Sequence, residues 1–210
     1  TLYLRAAAVV AQTRRGAADL EARLSRPVVV IPNPVPDTPY GAARVAPYGR
    51  GQLVLAAGRL GVEKGFDILI DAFAMVAAEQ PDWRLRIAGE GPARAALTEQ
   101  IARHGLGARV QLAGFDDDLQ ASMREADIFV LSSRHEGMPN ALLEAMAEGV
   151  ACVSFDCTAG PRELIRHGEN GWLVPPEDVG GLAAAFDVLM GADELRNRLG
   201  ARARKVCVLY

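Results

Sequence analysis

The sequence predicts a doubly wound parallel α/β sheet in three layers, and three observations carry that prediction. Short, largely aliphatic runs recur along the 210 residues, and longer stretches of helical periodicity lie between them. Alternation of that kind favours parallel strands with helical crossovers covering both faces. The polar and glycine-rich motifs fall just after the aliphatic runs, and such sheets bind ligands beyond the carboxyl ends of their strands. The composition agrees, with 50% hydrophobic and 23% charged residues, which is ordinary for a folded α/β chain.

Taken in order, Ala6–Ala11 reads as a strand, Arg15–Leu24 as a helix and Val28–Ile31 as a second strand. One strand–helix–strand unit cannot bury both faces of its own sheet, and the chain opens on Thr1. Residues 1–31 are therefore expected to be the remnant of a preceding domain. Residues 32–51 carry Pro32, Pro34, Pro36, Pro39 and Pro47 with little periodicity and read as a linker. Residues 52–210 hold the main sheet, with strands expected at Leu53–Ala57, Leu85–Ala88, Val110–Ala113, Ile128–Leu131, Ala151–Phe155 and Trp172–Val174. Helices are expected over Gly65–Glu79, where Phe66, Ile68, Leu69, Ala72, Phe73 and Val76 are apolar, and over Pro92–His104, where Leu97 and Ile101 stand four apart. Pro92 belongs in the first turn of the latter. Others open at Asp116–Asp118 and near Asn140, and Gly168 is expected to end a short helix before the Asn170-Gly171 turn.

Several classes are excluded or disfavoured. A net charge of −3 argues against a nucleic-acid binder, which needs a basic surface. No apolar run approaches the ~20 residues of a membrane span. Cys152, Cys157 and Cys207 show neither metal-ligand nor redox spacing and read as small buried hydrophobes of a reducing cytoplasm. His104, His135 and His167 lack the partners of acid–base catalysts and read as ordinary polar residues.

The chemistry concentrates in SRHEGMPNALLEAMAEG, residues 133–149. Glu136 lies on the loop after a strand, and Glu144 falls about one turn inside the next helix. The free N–H groups and positive dipole end of that helix favour an anion such as a phosphate. A carboxylate one turn in can accept from two neighbouring hydroxyls, as on a ribose. After Leu53–Ala57, Gly58 permits a sharp turn, and Arg59 and Lys64 supply a guanidinium fork and a mobile ammonium for a diphosphate. Solvated surface cations are the competing reading. Gly89, Glu90, Gly91 and Pro92 form either a tight turn and helix cap or a close approach for a flat ligand. Phe115 either lies against a base or is a core or loop aromatic.

In order and spacing, GRLGVEKGFDILIDAF, GEGP, the Glu136-to-Glu144 stretch and GPRELIRHGENGWLVP resemble the C-terminal half of GT-B glycosyltransferases, specifically the retaining family 4. The resemblance covers roughly residues 28–190. It implies a Rossmann-like domain that binds a nucleotide-sugar donor, with Arg59 and Lys64 on the diphosphate and Glu144 on the ribose. Glu136 then contacts the donor sugar, with Gly137, Met138, Pro139 and Asn140 around it, and is not a nucleophile. Pro139-Asn140 and GPRELIRHGENG look most like bacterial enzymes that use UDP-sugars to build polysaccharide or lipid-linked glycans, with N-acetylgalactosaminyl- and galactosyltransferases nearest. No cofactor and no metal site are implied.

A complete enzyme of this kind has two such domains, so the acceptor-binding one is expected to be mostly absent and this chain inactive alone. The expected location is the cytoplasm, and the resemblance leaves open a peripheral association of the full-length enzyme with the membrane face. Competing readings are a non-catalytic nucleotide-sugar-binding module, a Rossmann oxidoreductase, a phosphorylase and a UDP-sugar epimerase. The incomplete glycine fingerprint counts against the oxidoreductase.

Overall fold

In a computed structural model, which describes residues 6–34, 52–157 and 160–205, the chain is built on two parallel sheets. β1 (Val10–Ala11) and β2 (Val29–Val30) form the small one, bridged by α1 (Arg14–Leu24). The large one holds β3 (Leu53–Ala57), β4 (Arg84–Ala88), β5 (Val110–Gly114), β6 (Ile128–Leu131), β7 (Ala151–Phe155) and β8 (Trp172–Val174). Its order is β5-β4-β3-β6-β7-β8, parallel throughout. This is a doubly wound, Rossmann-like sheet whose order reverses between β3 and β6, creating a crevice at that switch point.

The central strands are apolar on both faces because both faces are covered. Along β3, Val54 and Ala56 join one core with α2 (Phe66–Val76), α3 (Arg94–Arg103) and α7 (Val179–Met190). Leu53, Leu55 and Ala57 join another with α4 (Leu119–Glu125), α5 (Asn140–Ala147) and α6 (Pro161–Leu164). Ile128 and Val130 alternate with Phe129 and Leu131 in the same way along β6. α8 (Asp193–Ala203) adds Leu199 to the first core and Ala203 to the second.

The expected elements differ in instructive places. Only Val10 and Ala11 find ladder partners opposite Val29 and Val30, so both small strands are shorter than the apolar runs around them. The helix expected from Gly65 to Glu79 spans Phe66–Val76, because Val62–Lys64 form a 3-10 turn closed by Gly65 in the left-handed conformation. Pro92 precedes α3 by two residues instead of sitting in its first turn. α6 ends at Leu164, with Ile165 already extended, so Gly168 belongs to the following turn and not to the helix end. α7 and α8 had no counterpart in the sequence reading. Asp178 caps α7 by accepting from Gly181 N (2.8 Å), and Leu182, Phe186 and Leu189 line its buried face. Of the expected linker, only residues 32–34 are described, and Cys207 also lies outside the described residues.

Candidate functional site

The loops after β3 and β6 meet at the switch point and bring Lys64 to Glu136, with Nζ donating to Oε1 at 2.7 Å. Both side chains are largely sheltered, Glu136 at 10% exposure and Lys64 at 26%. Several bonds fix the Lys64 turn to the β6 loop. Ser132 Oγ donates to the Lys64 carbonyl (2.9 Å), and Arg134 N donates to the Glu63 carbonyl (2.9 Å). The Arg134 guanidinium donates to the Val62 carbonyl (2.6 Å), to both Asp67 oxygens (2.9 and 2.7 Å) and to Glu177 Oε2 (2.9 Å). Gly65 is required here, because a Cβ would strike the Ser132 carbonyl and the residue is left-handed at φ +62°.

Arg134 is the organising cation of this loop pair, and the sequence reading did not single it out. Burial pushes the Asp67 carboxyl up, but the hydrogen bonds and charge of Arg134 outweigh it and hold the group below its ordinary value. The hydrogen bond that Arg134 donates to Asp67 in turn raises the Arg134 pKa, against the opposing effect of burial. The only sequence signal was its place two residues before Glu136.

α5 opens next to this pair. Pro139 is its N-cap, no side chain caps it and its first turn has no acidic residue. Its leading N–H groups and dipole therefore meet no capping side chain and no acidic residue of the helix's own first turn. Glu144, one turn in, is half-buried, and burial alone pushes its carboxyl above the ordinary value. No described residue donates a hydrogen bond to that carboxylate. Met138 turns its side chain into the α5 core, Gly137 is exposed, and Asn140 Oδ1 accepts from Asn33 Nδ2 at 2.7 Å. Gly160 lets the loop after β7 lie against Gly137 and Pro139, which a Cβ would strike. Cys157, buried close by, has its thiol pushed up to about 11 by burial and by the Glu136 charge.

Of the other expected site residues, Gly58 joins this cluster: its backbone lies against the Lys64 side chain, where a Cβ would meet Cε at 3.3 Å. Arg59 is exposed, and its guanidinium has no partner among the described residues. Gly89 and Gly91 make room for the protein's own backbone: a Cβ on Gly89 would strike the Gly58 carbonyl, and one on Gly91 the Leu60 carbonyl. Glu90 pairs with Arg94 through two bonds of 2.8 and 2.7 Å, an exposed i,i+4 contact whose hydrogen bond lowers the Glu90 pKa. The GEGP segment makes a close turn before α3. Phe115 is 79% exposed beyond β5, so it is not a core residue. His135 is exposed as well, while His104 bonds Asp71 (2.7 Å) and His167 packs at a tilt against Trp172. Among the described residues no His, Cys, Asp or Glu cluster could hold a metal ion, and no helix is long and apolar enough to cross a membrane.

Comparison with known proteins bears on the fold and the family of the chain. The chain is 37% identical over 97% of its length to an exopolysaccharide phosphotransferase of Streptomyces coelicolor, of which it spans 22%. It is 34% identical over 80% of its length to the lipopolysaccharide core biosynthesis glycosyltransferase LpsE of Rhizobium meliloti, of which the match spans 50%. The chain thus covers half or less of the length of these relatives. Among solved structures, the C-terminal domain of the group 1 family protein LpcC from Francisella tularensis is 27% identical with a TM-score of 0.69, covering 76% of this chain and 86% of that one. Anabaena HepE, in complex with UDP and glucose, is 24% identical with a TM-score of 0.82, covering 97% and 59%, a likeness of fold that matches GT-B glycosyltransferases. The family profile described as glycosyl transferases group 1 matches residues 43–206. By that match and by its relatives, the chain belongs to the group 1 glycosyl transferases.

Proposed function

We propose that this chain forms the donor-binding part of a retaining, family 4 glycosyltransferase that takes a UDP-linked sugar to a polysaccharide or lipid-linked glycan acceptor. The observation that carries the proposal is the Lys64–Glu136 pair (2.7 Å) set against the uncapped start of α5, with Glu144 one turn further in. In this reading the donor diphosphate lies on the N-terminal N–H groups of α5, Lys64 takes one of its oxygens, and Arg59 closes over it from the exposed loop. Positive groups already fixed where the leaving diphosphate gains charge are the main source of rate. Glu144 accepts from the ribose hydroxyls, and Phe115 lies against the base. Glu90, engaged by Arg94, shapes the turn and is left out of the ligand contact.

Glu136 then changes partner. As the diphosphate takes the ammonium of Lys64, the Glu136 carboxylate turns to the donor sugar and offsets its developing positive charge. The bond from the anomeric carbon to the diphosphate oxygen breaks. The acceptor oxygen bonds to the same face, and its proton passes to the leaving phosphate. No cofactor takes part. The HepE complex with UDP and glucose supports the choice of nucleotide, and the name of LpsE supports the class of product. The site of action in this reading is the cytoplasm, at the membrane face for the full-length enzyme.

A thermal-shift panel of UDP, GDP, ADP and their sugars tests the donor, because a ligand of the folded state raises the melting temperature. UDP and UDP-sugars are expected to give the largest shifts. Equal shifts with GDP or ADP, or none with any nucleotide, contradict the proposal. A second reading, a non-catalytic nucleotide-sugar-binding module within a larger protein, is favoured by the relative of which this chain spans only 22%. Sugar transfer by the full-length protein that is lost with Glu136→Ala excludes it.

A further inference from the structure

A second cleft, about 800 Å³ in volume, lies between the small sheet and α6 and carries an excess of positive charge. Gln12, Arg14 and Arg15 line it from one side, Glu163 and Arg166 from the other, and Pro32 lies at the end of β2. Glu163 is the only carboxylate among the described residues that line it and is already used: Oε2 and Oε1 accept from the backbone N–H groups of Arg14 (3.0 Å) and Arg15 (2.9 Å) at the start of α1. The guanidinium groups of Arg14 and Arg15 have no partner among the described residues, and Arg166 meets Glu169 only at 4.0 Å. Two cations in the first turn of a helix oppose its dipole. α1 carries no acidic residue there to offset them.

The cleft adjoins the start of α5. Gln12 Nε2 donates to Asn33 Oδ1 (2.7 Å), and Asn33 Nδ2 donates to Asn140 Oδ1 (2.7 Å). It also lies beyond the carboxyl ends of β1 and β2, where parallel strands receive ligands. We propose that the cleft between α1 and α6 is a separate anion site that takes a phosphate or diphosphate group borne by the acceptor, with Arg14, Arg15 and Arg166 as its ligands. Its assignment to the acceptor rests on the donor reading given above; its preference for an anion does not. Guanidinium forks match phosphate oxygens in pairs, so a diphosphate fits this cluster better than a neutral glycan.

Calorimetric titration of inorganic pyrophosphate into the chain saturated with UDP tests the proposal. Saturable binding is expected, weakened at least tenfold in the Arg14→Gln/Arg15→Gln/Arg166→Gln variant, with UDP affinity within twofold of wild type. Removing cations from the first turn of α1 favours that helix, so the variant is expected to melt no lower than wild type. Arg166→Glu, on the opposite wall, is expected to weaken pyrophosphate independently. Farnesyl diphosphate binding more tightly than pyrophosphate identifies a lipid carrier, equal affinity a soluble phosphorylated acceptor; a methyl glycoside is expected not to bind. Absence of pyrophosphate binding, equal binding to the triple variant, or displacement by UDP overturns the proposal. If UDP itself fails to bind wild type, the donor reading falls, and the same pyrophosphate comparison in UDP-free protein still decides the cleft.

Discussion

At the residue scale, Glu144 is a carboxylate that the fold shelters without a hydrogen-bond donor, and burial raises its pKa. The sign of its effect on stability follows from that direction. A folded-state pKa above the unfolded one means that the ionised, buried form opposes folding at neutral pH. This opposition fades as pH falls through the raised value. Glu144→Gln is therefore expected to raise the melting temperature at pH 7.5, with the gain vanishing in acid, while weakening UDP at least tenfold. A variant that melts lower at pH 7.5 and binds UDP as wild type does contradicts both halves. The placement of Glu136 on a loop and of Glu144 one turn inside the next helix was legible in the sequence because the two segments are consecutive there. Arg134 was not, because its partners Asp67 and Glu177 lie 67 and 43 positions away and no local pattern announces them.

At the scale of the element, the turn that carries Lys64 is held by side chains of another loop. Arg134→Ala removes a bidentate carboxylate contact, a second carboxylate and a backbone carbonyl at once. The expected loss is about 2 kcal/mol of stability. Hydrogen exchange is expected to quicken over residues 61–67 while β3 and β6 stay protected, and UDP affinity to fall about tenfold. Arg134→Lys is expected to recover little of this, since an ammonium cannot span both oxygens of Asp67. Gly89→Ala probes the neighbouring turn: the Cβ meets the Gly58 carbonyl at φ +142°, and a loss of about 2 kcal/mol is expected in chemical denaturation. The strands around these turns were legible because a sheet covered on both faces leaves continuous apolar runs such as Leu53–Ala57. The 3-10 turn at Val62–Lys64 was not, because the collision that dictates its shape comes from Ser132.

For the whole molecule, the alternation of strand and helix announced a doubly wound sheet. The order β5-β4-β3-β6-β7-β8 depends on pairings between distant segments that no single segment encodes. The fit of the small sheet against the large one was equally hidden. Glu163 ties the two together by capping α1, and Asn33 by reaching Asn140. Glu163→Ala is expected to cost about 1 kcal/mol locally, seen as faster exchange of the Arg14 and Arg15 amides with the six-stranded sheet unchanged. Global destabilisation in its place would mean that the two sheets fold as one unit. Because the chain spans 22–50% of the length of its curated relatives, donor binding is the property that tests it.

That test is calorimetry of UDP against wild type, Lys64→Ala and Glu144→Ala under one set of conditions. Saturable binding to wild type, weakened at least tenfold in each variant with the fold intact, is the predicted result. Two variants that bind UDP as wild type does, or a wild type that binds none, would contradict the assignment of the donor site.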